Sequence, residues 1–156
     1  MTKADRGPVL IRPGETADVD AMVQIENAAF PTDRLNHKAM RRSLRSPTIS
    51  VLTAVQDGAP VGYALLHRRR RSSVVQLASI AVAASAAGQG LGKRLLEAAE
   101  REAAQHGGRR LRLEVRPDNK GALALYESAG FRRFDVIAEY YSDGTSAWCY
   151  EKALGQ

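Results

Sequence analysis

A strand pattern that runs through three glycines directly into a helix pattern constrains this chain more than any other segment. The apolar run ends at Val82, glycines follow at Gly88, Gly90 and Gly92, and helical spacing begins at once. Unpaired backbone N–H groups at such a helix start, together with the helix dipole, form an anion site. Glycine lets the backbone approach a phosphate without an interfering Cβ. The segment therefore predicts that residues 87–93 hold a phosphorylated cofactor.

Two common phosphate-binding motifs do not fit this spacing. A Walker loop needs Gly-x-x-x-x-Gly-Lys-Ser/Thr, but counting back from Lys93 places Ala87 at the first glycine position and Arg94 at the hydroxyl position. A dinucleotide fingerprint needs Gly-x-Gly-x-x-Gly after the first strand of its domain, whereas Gly-x-Gly-x-Gly lies here in mid-chain. A glycine-rich turn that only caps a helix remains as the structural alternative.

Composition is that of an ordinary globular domain. The chain has 156 residues, of which 44% are hydrophobic and 26% charged, enough for one domain with a core. No apolar stretch approaches the roughly 18 residues of a membrane span, and Met1 to Arg6 lack the apolar core of a signal peptide, so we expect a cytoplasmic protein. The single Cys149 excludes an internal disulfide, and three His residues give no visible zinc-ligand cluster.

Positive charge is concentrated in two places. The net charge is +6, with Arg41, Arg42 and Arg45 on one predicted helix and a run from Arg68 to Arg71. Such patches are compatible with nucleic acid, but aromatic residues are not interleaved and no nucleic-acid motif accompanies them. We therefore expect no direct nucleic-acid binding. Solvated surface is one explanation, and attraction of acidic CoA or of a ribosome-associated substrate is the other.

Hydrophobic periodicity and turn residues predict the order β-α-α-β-β-β-α-β-α-β-β in one mixed-sheet α/β domain over residues 1–156. The middle βαβ unit should be a parallel crossover. We expect Thr16 or Asp18 to cap the first helix and Asp118 or Asn119 to cap the last. The predicted strands are 9–12, 51–56, 61–67, 74–82, 111–116, 131–141 and 146–154. The predicted helices are about 16–30, 36–45, 92–106 and 119–130.

This order and several segments resemble the GNAT superfamily of acetyl-CoA-dependent N-acyltransferases, and within it the bacterial ribosomal-protein alanine N-acetyltransferases. The resemblance spans nearly the whole chain. The family loop reads Gln/Arg-x-x-Gly-x-Gly/Ala, and Ala87 departs from it at the first position. The matching segments are residues 80–82, the glycine loop, residues 113–116, Asn119 and residues 124–131.

The resemblance implies a GNAT-like fold with a mixed central sheet, a parallel βαβ unit and flanking helices, and acetyl-CoA as cosubstrate without a metal. It implies that the pantetheine arm is held by the backbone of Ile80, Ala81 and Val82. Asn119 matches a family residue that contacts the cofactor. The residues implied to hold the pyrophosphate are Gly88, Gln89, Gly90, Leu91, Gly92 and Lys93.

Glu114 is the candidate general base. In residues 111–116, Arg112, Glu114 and Arg116 face one way and the apolar residues the other. A strand in a parallel unit is usually apolar on both faces, so a polar face indicates a cleft. The resemblance implies that Glu114 accepts a proton from the attacking amine, through water. The alternative is that Glu114 only pairs with the two arginines, whose charge would lower its pKa.

Tyr126, on the following helix, is the candidate acid. The resemblance places its hydroxyl near the CoA sulfur, where it would protonate the leaving thiolate. A phenol pKa of about 10 against a thiol pKa of about 8.5 makes full transfer uphill by roughly 2 kcal/mol, which favours a hydrogen bond in the transition state. A core tyrosine anchored by its hydroxyl is the alternative.

The related protein N-terminal acetyltransferases imply an acceptor groove at Phe30-Pro31 and Tyr140-Tyr141, with Glu26 as a weaker candidate. A helix stop and strand packing are the structural alternatives for these segments. Cys149 has no neighbouring His in sequence and is interpreted as packing.

Together these features predict acetyl transfer to a primary amine by direct transfer, with a protein N-terminal α-amine as the preferred acceptor. A small-molecule amine acetyltransferase on the same fold and a non-catalytic acyl-CoA-binding module are the alternatives.

Overall fold

Seven strands form one mixed sheet in the order β1-β2-β3-β4-β5-β7-β6 in the computed structural model, which describes residues 6–155. Residues 1–5, where most of the segment interpreted for a signal peptide falls, and residue 156 lie outside this range. The strands are β1 Val9–Pro13, β2 Ile49–Gln56, β3 Ala59–Arg68, β4 Val74–Val82, β5 Arg110–Val115, β6 Arg132–Ile137 and β7 Ala147–Ala153. The helices are α1 Val19–Ala29, α2 His37–Arg45, α3 Leu91–Gln105 and α4 Lys120–Ser128.

The expected element order and the mixed α/β fold are confirmed. Strands β4 and β5 pair in parallel and are joined through α3, whereas the other neighbouring strands run antiparallel. Within residues 6–155, none of the helices is long and apolar enough to cross a bilayer.

Helices cover the two faces of the sheet unequally. Helix α3 buries Leu95, Leu96 and Ala99 against one face, in a cluster that also includes residues of β5 and α4. Helices α1 and α2 pack on the other face against β2, β3 and β4, around the fully buried Met22 and Met40. On that second face β5 carries polar side chains instead of a helix contact, which leaves room for a cleft.

Strands β4 and β5 pair only from Val74 and Arg110 to Gln76 and Arg112. Beyond that point β4 remains paired with β3, and β5 remains paired with β7, but β4 and β5 no longer pair with each other. Strands β4 and β5 therefore separate in the middle of the sheet. The register of β4 against β3 also shifts here and leaves Ala78 without a partner, which is a β-bulge. The separation exposes an unpaired edge of β4.

Two local expectations are wrong. Neither Thr16 nor Asp18 caps α1 with its side chain, because both lie in a short 3-10 turn before the helix, where Asp18 pairs with Arg12 at 2.7 and 3.0 Å and accepts from the backbone N–H of Glu15 at 2.8 Å. Strand β6 ends at Ile137 rather than at residue 141, because Glu139 has a φ of 50° and the backbone turns back toward Thr145. Tyr140 and Tyr141 therefore lie in a turn and not in a strand.

Candidate active site

The separation of β4 from β5 opens a cleft of about 500 Å³ in the sheet. One wall is the free edge of β4, including Ile80, Ala81 and Val82, and the opposite wall combines the end of β5 with α4. Backbone N–H and C=O groups on an unpaired strand edge seek hydrogen-bond partners. An extended ligand with amide groups can pair with this edge as another strand would.

The glycine loop lies between the end of β4 and the start of α3. Gly88 and Gly90 have φ values of 83° and 72°, and Gly90 is the residue that precedes α3. Gly90 has no side chain to cap the helix, so the first N–H groups remain available to an anion. Gly92 lines the cleft, where an added Cβ would come within 3.4 Å of Leu125. With Lys93 exposed at the helix start, the loop fits a pyrophosphate.

Two of the expected cofactor residues stabilise the loop with their side chains. Gln89 donates to the carbonyl of Ala86 at 3.1 Å and exchanges side-chain hydrogen bonds with Gln56. Leu91 is buried, with 2% of its surface exposed. Gln89 and Leu91 can therefore contact a ligand only through their backbone groups.

Glu114 projects into the cleft with both carboxylate oxygens engaged. The Gln76 side-chain amide donates to Oε2, and the hydroxyl of Tyr140 donates to Oε1 at 3.2 Å. These donors come from β4 and from the turn before β7. The side chain of Glu114 is half-buried and stays accessible from the cleft.

The arginines beside Glu114 pair with other carboxylates. Arg112 donates to Glu151 at 2.9 Å and lies over the ring of Phe134 at 4.9 Å. Arg116 donates to Asp143 at 2.9 Å. The alternative that Glu114 serves as their ion-pair partner is therefore wrong.

Tyr126 is buried and lines the cleft opposite β4. Its ring packs against Phe131 and Tyr150, at centroid distances of 5.9 and 6.5 Å. Burial raises the pKa of the Tyr126 hydroxyl well above its usual range. The group therefore stays protonated at neutral pH and keeps its proton for donation to a ligand in the cleft.

The remaining expected site residues surround the same cleft. Phe30 and Pro31 line it where the chain leaves α1, and Tyr141 lines it from the turn before β7. Asn119 also lines it and caps α4, since its side chain accepts from the backbone N–H of Ala122 at 3.2 Å. Both interpretations of Asn119 are thus compatible with the structure.

Glu26 lies at the base of the cleft and not along an open groove. Its carboxylate accepts from the backbone N–H of Leu35 and the hydroxyl of Ser79, each at 3.0 Å, and from the hydroxyl of Tyr63. Burial raises the pKa of Glu26. This network fixes α1 against β3 and β4, so Glu26 supports the groove from below.

A second cleft, of about 970 Å³, opens on the same face of the sheet as α1 and α2, over the part that these helices do not cover. It meets the first cleft at five shared residues: Asp33, Leu77, Ala78, Glu114 and Tyr141. The carboxylate of Asp33 accepts two hydrogen bonds of 3.1 Å from Ser142, which joins the loop after α1 to the turn before β7. Glu114 therefore lies on a wall common to two clefts.

The family model for the acetyltransferase (GNAT) family matches residues 19–131. This chain belongs to the GNAT family. It is 34% identical over 157 residues to the N-alpha-acetyltransferase RimI of Mycobacterium tuberculosis, in an alignment that covers 97% of each chain. It superimposes on the ribosomal-protein-S18-alanine N-acetyltransferase of Escherichia coli with a TM-score of 0.82 and 29% identity, covering 96% of each chain. The mycothiol acetyltransferase of Jonesia denitrificans is 33% identical over 125 residues, which cover 74% of this chain and 40% of that protein.

These findings confirm the resemblance stated from sequence. This GNAT protein is an N-acetyltransferase, and acetyl-CoA is its cosubstrate. Within residues 6–155, no group of three or more His, Cys, Asp or Glu side chains could hold a metal ion.

Sequence reasoning missed Gln76 in this GNAT site. Glutamine does not titrate, and its partner Glu114 is 38 residues away in the chain. The signal was nevertheless present, because Val75 and Leu77 are buried on one face of β4 and place Gln76 on the other. The alternation that singled out Glu114 on β5 applies equally to β4.

Proposed function

We propose that this enzyme acetylates the α-amine of protein N termini by direct transfer from acetyl-CoA. The observation that carries the proposal is that two clefts meet at Glu114, one suited to the cofactor and the other open to an acceptor. The proteins from Mycobacterium tuberculosis and Escherichia coli are named for N-alpha-acetylation and for alanine acetylation of ribosomal protein S18. We extend that acceptor class to this chain, with newly made, ribosome-associated proteins in the cytoplasm as its source.

Acetyl-CoA supplies the activated acetyl group as a thioester. The free backbone edge at Ile80, Ala81 and Val82 would bind the amides of the pantetheine arm. The N–H groups of residues 88–93 and the ammonium of Lys93 would neutralise the pyrophosphate without a metal. Asn119 would contribute a further polar contact from the start of α4.

Glu114 would accept the proton of the acceptor amine, directly or through water. An α-amine has a pKa of about 7.7–8.0 and lysine about 10.4, so deprotonation at pH 7 costs about 1 kcal/mol for the first and about 4 kcal/mol for the second. A carboxylate that is held by Gln76 and Tyr140 suffices for the smaller cost. The energetics therefore favour an α-amine acceptor.

Tyr126 would donate a hydrogen bond to the sulfur as it leaves. Its raised pKa disfavours full proton transfer in the resting site, which supports the hydrogen-bonding role over complete protonation. Cys149 is buried, and burial raises the pKa of its thiol, so an acetylated cysteine is not part of the proposal.

Phe30, Pro31, Tyr140 and Tyr141 would contact the acceptor's first residues, because they border the place where the clefts meet. Glu26 would act indirectly, by fixing α1 beneath them. An open cleft of about 970 Å³ is larger than a small amine needs and accommodates several residues of peptide.

The small-molecule alternative has one observation in its favour, which is the similarity to the mycothiol acetyltransferase over 74% of this chain. The two functions differ in the acceptor that the second cleft must hold. A peptide would occupy its length, whereas a small amine would need only the part beside Glu114.

Mass spectrometry with acetyl-CoA tests the proposal. The acceptors are an Ala-initiated peptide that contains lysine, the same peptide with a blocked N-terminus, and a panel of small amines including an amino sugar. Acetylation at the α-amine of the first peptide, with a kcat/KM far above the other acceptors, is the expected result. Preferential acetylation of a small amine would support the alternative. CoA binding without any transfer would indicate a non-catalytic module.

A further inference from the structure

The two ends of the second cleft carry opposite charge. Glu114 and Asp33 lie at the end that meets the cofactor cleft, and hydrogen bonds from Thr32 and Ser142 lower the pKa of Asp33, so this end is anionic. Arg68 and Arg69 line the same cleft on the side of β3. An extended ligand in this cleft therefore experiences attraction for a cation at one end and for an anion at the other.

The arginines on the β3 side keep their charge available. Arg68 donates to the carbonyl of Pro47 and to the hydroxyl of Ser50, both at 3.2 Å, and Ser50 in turn donates to Glu102 at 2.8 Å, so one hydroxyl separates Arg68 from a carboxylate. In the part of the chain that the structure describes, no carboxylate lies within 4.0 Å of the Arg68 or Arg69 nitrogens. Arg112 contrasts with them, because Glu151 neutralises it.

These arginines lie too far from the glycine loop to serve the cofactor phosphates. They precede β4, whereas the loop follows it, and β4 has nine residues. At about 3.3 Å per residue the strand separates the two by roughly 30 Å. The positive charge of Arg68 and Arg69 is therefore placed to contact the acceptor and not the cofactor.

The spacing across the sheet places this charge relative to the reacting amine. His67 pairs with Gln76, whose side chain reaches Glu114, so the end of β3 and Glu114 are two strands apart. Two strand spacings are about 10 Å, and Glu114 lies two residues, or roughly 7 Å, further along β5 than Arg112, which pairs with Gln76. The end of β3 and Glu114 are therefore about 12 Å apart, which an extended peptide crosses in roughly three to four residues.

We propose that the enzyme prefers acceptor N termini that carry an acidic side chain at the third or fourth position, recognised by Arg69 with support from Arg68. The proposal rests on the proposed function, since it assumes a peptide acceptor. The protonated amine is attracted to the anionic end beside Glu114, and the carboxylate to the arginines. Both charges of such a peptide then match the polarity of the cleft.

Three peptides that begin with Ala-Ala test this preference, with Glu-Glu, Gln-Gln or Lys-Lys at the third and fourth positions and neutral residues thereafter. We expect kcat/KM to be roughly three- to tenfold higher for the Glu peptide than for the Gln peptide, as for one or two partly exposed charge pairs. The Lys peptide should be the poorest acceptor. The Glu advantage should shrink at about 1 M salt, where the Debye length is about 3 Å.

Charge reversal at one arginine locates the contact. Arg69→Glu should remove or invert the preference for the Glu peptide. Arg70→Glu is the matched control, because Arg70 lies in the same loop but does not line the second cleft, and it should keep the preference. Moving the two Glu residues several positions along the peptide should also abolish their advantage.

Calorimetric titration of the same peptides into the CoA-bound protein gives a second readout that does not need turnover. Equal affinities and equal kcat/KM for the Glu and Gln peptides, or equal effects of Arg69→Glu and Arg70→Glu, would overturn the preference while leaving N-terminal acetylation intact. Absence of transfer to all three peptides would instead contradict the proposed function, and the affinities would still report the charge preference.

Discussion

Both oxygens of the Glu114 carboxylate are held by the protein, one by Gln76 and the other by Tyr140. A base that is already oriented needs less reorganisation when an amine reaches it. The alternation in β5 predicted the face on which Glu114 lies. It could not predict that Glu151 and Asp143 take the two arginines, because these partners belong to distant parts of the chain.

Gln76→Leu tests the orienting contact at similar side-chain size. We expect kcat to fall roughly 10- to 100-fold, as for a misplaced catalytic group. The KM for acetyl-CoA should change little, because Gln76 lines the second cleft, proposed for the acceptor, and not the first cleft, proposed for the cofactor. Gln24→Leu makes the same exchange on the exposed side of α1 and should leave both constants unchanged. An unaltered kcat in Gln76→Leu would remove the contact from the mechanism.

Tyr126→Phe removes only a hydroxyl, and the ring should still pack against Phe131 and Tyr150. A positioned donor contributes typically ~10²–10⁴-fold, and this loss should appear in kcat rather than in KM for acetyl-CoA. Tyr150→Phe is the control, because it removes a hydroxyl that donates to Glu127 at 2.7 Å. If kcat falls by the same small factor in both variants, the Tyr126 hydroxyl has only a structural role.

At the scale of elements, glycine and proline made the order of helices and strands predictable. Asp57-Gly58 is the turn between β2 and β3, with φ values of 52° and 79°, as the pattern indicated. Side-chain chemistry set the details that failed. The Asp18 carboxylate binds the Arg12 guanidinium instead of the free backbone N–H groups at the start of α1. Local sequence does not show which of these donors a carboxylate will bind.

The loop before α3 supports a prediction about cofactor binding. An added Cβ at Gly90 meets nothing within 4 Å, but its φ of 72° strains any L-residue. Gly90→Glu should fold with reduced stability and lose CoA binding in calorimetry, because its carboxylate would repel the pyrophosphate. Gly107→Glu introduces the same charge at a φ of 85° beyond the other end of α3 and should bind CoA normally. Unchanged CoA affinity in Gly90→Glu would contradict the assignment of the loop.

At the scale of the whole molecule, the site depends on where two parallel strands stop pairing. The βαβ unit was predictable from the order of its elements, but the separation after Gln76 and the bulge at Ala78 were not. Sheet register is set by contacts between strands that are far apart in sequence. The sequence could therefore indicate Glu114 and Tyr126 as candidates without showing that two clefts meet beside them.

The stability of the molecule should depend on pH through Asp18. Hydrogen bonds from Arg12 hold the pKa of the buried Asp18 carboxyl below its usual value. A depressed folded-state pKa stabilises the protein above the unfolded pKa of about 3.9, and this contribution is lost as pH falls through the folded value.

Asp18→Asn should therefore reduce the free energy of unfolding by about 1.5–3 kcal/mol at pH 7, as for a hydrogen bond to a charged group. The difference from wild type should shrink as the pH falls below about 4. Urea titrations at several pH values measure it, with the exposed Glu97→Gln as control. A difference that does not change with pH would assign the effect to packing.

Proton transfer from a protein α-amine to Glu114 is tested most directly by the pH–rate profile of Glu114→Gln with an Ala-initiated peptide. The variant should keep its acetyl-CoA affinity, turn over slowly at neutral pH, and recover toward wild-type rates near pH 8, because solvent then deprotonates an α-amine of pKa about 7.7–8.0. Recovery only near pH 10 would indicate a lysine acceptor. A profile that overlays wild type at every pH would contradict the role of Glu114 as the base.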